Sequence, residues 1–204
     1  GLPFLRRDAV GAGVAAARMN ERVWLWNGQW QRAMGTASEW IVVPAAQAVH
    51  LPDGTDFAAG ACLGIPALTA LQAVHLAGDL KGKNVLVTGA GSAVGHYIVQ
   101  LAKMRGARVF GTAGAADKQA HALSAGVDVL LNYKTDPVAE QIKAETQGQG
   151  VDAIIDMDLS TTTQYVAAGA LKAHGVWVCY GSNALEVPLA FRTCLYASID
   201  LRFL

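Results

Sequence analysis

Apolar and polar positions fall into three textures along the 204 residues. In residues 1–60 the apolar runs are short and punctuated: Arg22-Val23-Trp24-Leu25-Trp26, then Glu39-Trp40-Ile41-Val42-Val43 ahead of Pro44. Aromatic and β-branched runs of this length between turn formers predict β-strands. Residues 61–82 shift to helical spacing. Pro66 suits a first turn, Leu68, Leu71 and Val74 lie three apart, and Gly78 ends the stretch.

From residue 83 onward strands alternate with helices. Asn84-Val85-Leu86-Val87-Thr88 is a strand. Val94, Tyr97, Ile98, Leu101 and Met104 recur on one helical face, and Gly106 stops that helix. Arg108-Val109-Phe110-Gly111, Val129-Leu130-Leu131, Ala153-Ile154-Ile155, Val176-Trp177-Val178-Cys179-Tyr180 and residues 199–204 supply five further strands. Helices are predicted over 116–125, after Asp136-Pro137 with the proline at its first position, and over 161–171. Near-continuous apolar strands separated by helices predict an α/β fold: a parallel sheet, buried on both faces and doubly wound. The expected organisation is a partial β-domain in 1–60, a connecting helix in 61–82 and a dinucleotide-binding domain in 83–204.

Composition narrows the partners. The chain is 52% apolar with zero formal charge. That composition supports a substantial core and argues against nucleic acid, which needs a basic face. No unbroken apolar run reaches the ~18–20 residues of a membrane span, and Arg6, Arg7 and Asp8 interrupt any signal-peptide core. Cys62, Cys179 and Cys194 lie far apart, which points away from a disulfide scaffold and toward a reduced, cytoplasmic setting. No Cys/His spacing suits a tetrahedral metal site, so no metal is expected.

The chemistry concentrates in the turn after the first strand of the α/β region, Gly89-Ala90-Gly91-Ser92-Ala93-Val94-Gly95. Small residues there let backbone N–H groups approach a pyrophosphate at a helix N-terminus. The next strand ends in Gly111-Thr112-Ala113-Gly114 without the Asp or Glu that an NAD site uses to hold the ribose 2′-hydroxyl, and Lys118 follows within a turn. NADPH is therefore the expected cofactor. A short-chain dehydrogenase is excluded, because no tyrosine has a lysine four residues on: Tyr97, Tyr133, Tyr165, Tyr180 and Tyr196 precede Leu101, Pro137, Gly169, Ala184 and Asp200.

Taken with Gly60-Ala61-Cys62-Leu63-Gly64-Ile65-Pro66-Ala67-Leu68-Thr69-Ala70, Asn132-Tyr133-Lys134, Gly150-Val151-Asp152, Pro52-Asp53-Gly54 and Arg22-Val23-Trp24, the turn makes the chain resemble one particular group. This is the zinc-independent, zeta-crystallin-like quinone oxidoreductase branch of the medium-chain dehydrogenase/reductase superfamily. The resemblance implies a Rossmann domain behind a partial GroES-like β-domain, truncated at both ends relative to the family. It implies hydride transfer from NADPH to a quinone or an activated enone or carbonyl acceptor.

The same resemblance places Lys118 and Tyr133 beside the 2′-phosphate and Thr69 and Ser182 near the nicotinamide. The candidate cofactor set is thus Thr69, Gly89, Ala90, Gly91, Ser92, Ala93, Val94, Gly95, Thr112, Ala113, Gly114, Lys118, Tyr133, Gly181 and Ser182. Ser92 and Ala93 stand where the family usually has glycine, which bears on affinity. No general acid is assigned: Tyr180, His96 and His174 read as structural. The resemblance also implies a homodimer through residues 199–204, whose strand has an edge open to pairing. The competing expectation is a cofactor-binding remnant that holds NADPH without turnover.

Overall fold

The structure is a computed structural model that describes residues 4–204, with side chains from Arg6 onward. The chain divides into two compact units, Gly1–Leu68 and Thr69–Leu204.

In the first unit, β1 (Phe4–Arg6), β2 (Arg22–Leu25) and β3 (Ala48–His50) form an antiparallel sheet with β2 in the middle. Residues on β2 alternate between the two faces, as the strand period demands. Val23 and Leu25 are buried with Ala48, and Ile41 and Val43 pack over them. The strand expected at Glu39–Val43 does not form. Both edges of β2 are already taken by β1 and β3, so the segment has no ladder to join there. It runs irregularly with Ile41 and Val43 turned inward, while Trp40 and Val42 stay exposed.

Helix formation begins earlier than the spacing alone predicted. α1 (Phe57–Cys62) starts at Asp56, whose carboxylate accepts the N–H of Ala59 at 2.7 Å. A widened turn, Leu63–Ala67, then accommodates Pro66, and Gly64 leaves helical geometry at φ −32°, ψ −125°. α2 (Leu68–Leu76) follows. By length and composition, residues 57–76 are long and apolar enough to cross a membrane, with a mean hydropathy of 1.6. No apolar run of that length is unbroken in the sequence, since Gly60 and Gly64 interrupt this one, whereas the wide turn carries the helix on past Gly64 and Pro66. Ala70, Ala73 and Val74 of α2 belong to the core of the second unit.

The second unit is the expected doubly wound α/β fold. Its elements are β4 (Asn84–Val87), α3 (Ala93–Met104), β5 (Arg108–Thr112), α4 (Ala116–Ser124), β6 (Val129–Leu131), α5 (Val138–Glu145), β7 (Val151–Asp156), α6 (Leu159–Ala167), β8 (Leu171–Cys179), α7 (Phe191–Tyr196) and β9 (Asp200–Phe203). All strand pairs are parallel, in the order β6-β5-β4-β7-β8-β9. Each strand sends alternate residues to opposite faces. Val85, Val87, Val109, Ile155 and Val178 meet Ile98, Val99 and Ala102 of α3 on one side. Leu86, Phe110, Leu131, Ile154 and Trp177 meet Ile142 of α5 and Val166 of α6 on the other. Burial of each such side chain contributes about 1.5–3 kcal/mol, which is why these strands read as unbroken apolar runs.

Three local details differ from the sequence reading. Pro137 stands just before α5 as its N-cap residue. Leu171 opens β8, with α6 ending four residues earlier at Ala167. α7 went unforeseen, since its six residues leave Phe191, Leu195 and Tyr196 exposed and give no amphipathic period.

Candidate functional site

Strand order reverses at β4, with β5 and β6 on one side and β7, β8 and β9 on the other. Loops leaving the carboxyl ends of β4 and its neighbours diverge there, and in open α/β sheets that divergence creates the ligand crevice. A cleft of about 420 Å³ lies at this point, lined from all three strand ends by Gly89, Gly91 and Ser92, by Thr112 to Ala115, and by Met157 and Asp158, among others.

The loop between β4 and α3 is held from below. Thr112, the last residue of β5, accepts the Gly89 N–H at its hydroxyl (3.0 Å) and the Ala90 N–H at its carbonyl (2.9 Å). Gly89 takes φ +63°, a conformation that suits glycine. Close approach fixes two more positions. A Cβ on Gly91 would sit 2.2 Å from the carbonyl oxygen of Lys118, and one on Gly95 would sit 2.2 Å from that of Gly89. Ser92 caps α3, its Oγ accepting the Gly95 N–H at 3.0 Å. The N–H groups of Ala93 and Val94, ahead of it in the first turn, have no intrahelical acceptor. With the helix dipole, this cradle fits a pyrophosphate.

At the outer end of the cleft, α4 brings Lys118 and the loop after β6 brings Tyr133 and Lys134. Tyr133 and Lys134 meet at Gly114, where a Cβ would lie 2.8 Å from the Tyr133 ring and 2.9 Å from Lys134 Cε, while the Lys118 backbone lies against Gly91. No carboxylate stands on β5 or in Ala113-Gly114-Ala115 after it. Lys118 is 3.8 Å from Asp117, with both side chains mostly exposed, and such a pair is weak.

The inner end rests on two aspartates. Asp156 is fully buried at the end of β7. It accepts from Thr88 Oγ1 (2.8 Å), Thr162 Oγ1 (2.7 Å), Trp177 Nε1 (3.0 Å) and the Asp158 N–H (2.9 Å). Burial pushes its pKa up against these donors. Asp158 caps α6 and accepts from Ser160, Thr161 and Asn183, so it joins the loop after β7 to the loop after β8.

Of the residues singled out from the sequence, Gly89, Gly91, Ser92, Thr112, Ala113, Gly114, Lys118 and Tyr133 line this one cleft. Ala90 is buried beneath the loop and Gly95 is buried in the first turn of α3. Ala93 is exposed, and Val94 packs partly against the core. Thr69 on α2, Gly181 and Ser182 are not among the lining residues; the Ser182 hydroxyl bonds locally with Ala184. His96 stacks on His121, with ring centroids 3.9 Å apart.

The cleft adds Thr88, Ala115, Lys134, Met157, Asp158, Thr161, Thr162, Tyr165 and Asn183, none of which was in the candidate cofactor set, although Lys134 belongs to the quoted Asn132-Tyr133-Lys134 motif. Of the others, only Asp158 carried a local signal, as an acid before Ser-Thr at a helix start. Among the described residues no group of three or more His, Cys, Asp and Glu could hold a metal ion.

This geometry agrees with comparison to known proteins. Residues 93–203 match the family model described as zinc-binding dehydrogenase. The chain belongs to that family, within the medium-chain dehydrogenase/reductase superfamily. It is 34% identical over 151 residues to the quinone oxidoreductase of Rattus norvegicus, an overlap covering 74% of this chain and 45% of that protein. Among solved structures, an NAD-dependent alcohol dehydrogenase aligns over 98% of this chain and 65% of its own, with TM-score 0.86 and 27% identity. A mycobacterial protein solved with NADPH aligns over 98% of this chain and 62% of its own, with TM-score 0.83 and 28% identity. The chain spans about half the length of the curated quinone oxidoreductases it matches.

Proposed function

We propose that this member of the zinc-binding dehydrogenase family is an NADPH-dependent oxidoreductase that passes a hydride to a quinone or an activated enone or carbonyl acceptor. One observation carries the cofactor choice: the acid-free end of β5 opens onto Lys118, Tyr133 and Lys134. A 2′-phosphate brings two negative charges to that spot, where two ammonium groups and a phenol meet them. A 2′-hydroxyl finds no carboxylate acceptor on β5 or in the three residues after it.

NADPH, when bound, supplies the hydride. The chain's own residues bind and orient. The Gly89–Gly95 loop and the α3 N-terminus hold the pyrophosphate, Lys118 and Tyr133 hold the 2′-phosphate, and Met157 with its neighbours at the end of β7 forms the inner wall. The quinone oxidoreductase relatives support the acceptor class. A quinone can take its protons from solvent, so the protein's contribution is orientation.

The test is a fluorescence titration with NADPH and NADH, followed by absorbance loss with a simple quinone. Lys118→Ala should weaken NADPH far more than NADH, and equal losses would sink the assignment. Binding without turnover would identify a cofactor-binding module instead.

We also propose a homodimer through residues 199–204. β9 is the last strand of its sheet, with one edge unpaired and Phe203 and Leu204 exposed, an arrangement open to a second copy. A monomer at high concentration by light scattering would refute it.

A further inference from the structure

Two aspartates stand at the inner end of the cleft, and neither has an acceptor to spare. Asp156 is fully buried and taken up by Thr88, Thr162, Trp177 and the Asp158 N–H. Asp158 lines the cleft, but an ionised carboxylate offers only about four lone-pair sites. Its Oδ1 takes the N–H and the hydroxyl of Ser160 and the N–H of Asn183, and its Oδ2 takes the Thr161 hydroxyl and Asn183 Nδ2. Those donors fill it.

Asn183 supplies what the aspartates lack. Its Nδ2 lies 2.9 Å from Asp158 Oδ2 and its backbone N–H 2.9 Å from Oδ1. A carboxylate without a proton can only accept, so the amide cannot flip: its nitrogen faces Asp158 and its oxygen is turned away. Asn183 also lines the cleft. Among the described residues no donor occupies its Oδ1, which leaves a neutral, pre-oriented acceptor at the inner mouth.

Covalent order says what would reach it. A Cβ on Gly89 would collide with Met157 Sδ, so the end of β7 packs directly on the phosphate loop. In a dinucleotide with its pyrophosphate on that loop and its 2′-phosphate toward Lys118, the next group inward is the nicotinamide-side ribose, whose hydroxyls are donors. We propose that Asn183 Oδ1 accepts a hydroxyl of that ribose, and that Asp158 is a positioning residue that fixes the amide for it. This rests on the cofactor reading above.

The experiment is a thermodynamic cycle between protein and ligand, read by calorimetry on the purified chain. Dissociation constants are measured for NADP+, for its analogue with the hydroxyls removed from the nicotinamide-side ribose, and for adenosine 2′,5′-bisphosphate, which carries the outer half alone. The proteins are the parent, Asn183→Ala and Asp158→Asn, and thermal melting confirms that each folds.

The parent is expected to bind NADP+ about three- to tenfold more tightly than the deoxygenated analogue, the span of one hydrogen bond. Asn183→Ala should bind the two equally, Asp158→Asn should narrow the difference, and adenosine 2′,5′-bisphosphate should bind all three proteins alike. A merely structural role for Asn183 would weaken both dinucleotides by the same factor and keep the difference between them. That result, or a parent that does not distinguish the two, would overturn the contact while leaving the cofactor reading intact. A full difference in Asp158→Asn would overturn the positioning role. A parent that binds none of the three ligands would overturn the cofactor reading as well.

Discussion

Asn183 donates twice to Asp158, through its backbone N–H and its side-chain Nδ2, each at 2.9 Å. With Ser160 and Thr161 also donating, the loops after β7 and β8 are tied across the inner mouth of the cleft by one carboxylate.

That tie is pH-dependent with a definite sign. Burial works to raise the Asp158 pKa, but the hydrogen bonds from Ser160, Asn183 and Thr161 outweigh it and hold the group at about 2, below its ordinary 3.8. A depressed folded-state pKa means the stabilisation is present above the unfolded value and is lost as pH falls through the folded one. Asp158→Asn should cost about 1 kcal/mol at pH 7, a figure discounted for solvent screening of this part-exposed group. The gap between parent and variant in urea melts should close between pH 4 and pH 2. A gap that stays constant with pH would show that the charge contributes nothing.

Asp156 lies two residues earlier, buried at the end of β7, and its donors make a second prediction. Thr88→Val keeps the volume at the end of β4 but removes the hydroxyl that donates to Asp156 and accepts the Met157 N–H at 2.9 Å. A fully buried carboxyl then loses a donor, and a backbone N–H loses its acceptor. The expected cost is about 2–4 kcal/mol in denaturant melts. Thr163→Val, which removes only the hydrogen bond from the half-buried Thr163 hydroxyl to the Pro188 carbonyl (3.3 Å), should cost far less, and equal losses would remove Asp156 from the account.

The fold was legible because the central strands of the second unit bury both faces, so β4, β5 and β7 advertised themselves as apolar runs. The outer end of the cleft was legible for a different reason: an acid missing after β5 and a lysine in α4 are both local in sequence. The inner end was not. Met157, Asp158 and Asn183 meet only through the crossover from β7 to β8, and no short window contains the pair Asp158–Asn183. Glu39–Val43 misled for a related reason. Its composition suits a strand, but the segment is held by packing Ile41 and Val43 over Val23, Leu25 and Ala48 and not by a ladder, a choice that no local composition reveals.

His96 and His121 form a face-to-face pair between α3 and α4, and the His96 Nδ1 lies 3.2 Å from the His121 carbonyl. Burial lowers the His96 pKa, and the charge on His121 lowers it further. The folded state therefore binds protons less tightly than the unfolded chain. Stability should rise with pH through the window at and below about 6.5 and fall on acidification. His121→Gln should flatten the slope of melting temperature between pH 7 and pH 5. An unchanged slope would mean the pair does not couple to folding.

Lys134 is the cleft residue whose role the sequence left open, and its position beside Gly114 makes a quantitative prediction possible. Lys118 comes from α4 and Lys134 from the loop after β6, so the two ammonium groups approach the end of β5 on separate elements. Both would meet the same 2′-phosphate, so their contributions to binding should couple rather than simply add. Exposed charge–phosphate contacts are each worth about 0.5–1.5 kcal/mol. Lys118→Ala and Lys134→Ala should each weaken NADPH by about three- to tenfold while changing NADH less than about twofold, and the double variant should lose most of the preference. Both effects should shrink as ionic strength rises, because the groups are solvent-facing. If Lys134→Ala leaves the NADPH titration unchanged at low salt, the phosphate is held by Lys118 and Tyr133, and Lys134 is a solvated residue at the rim.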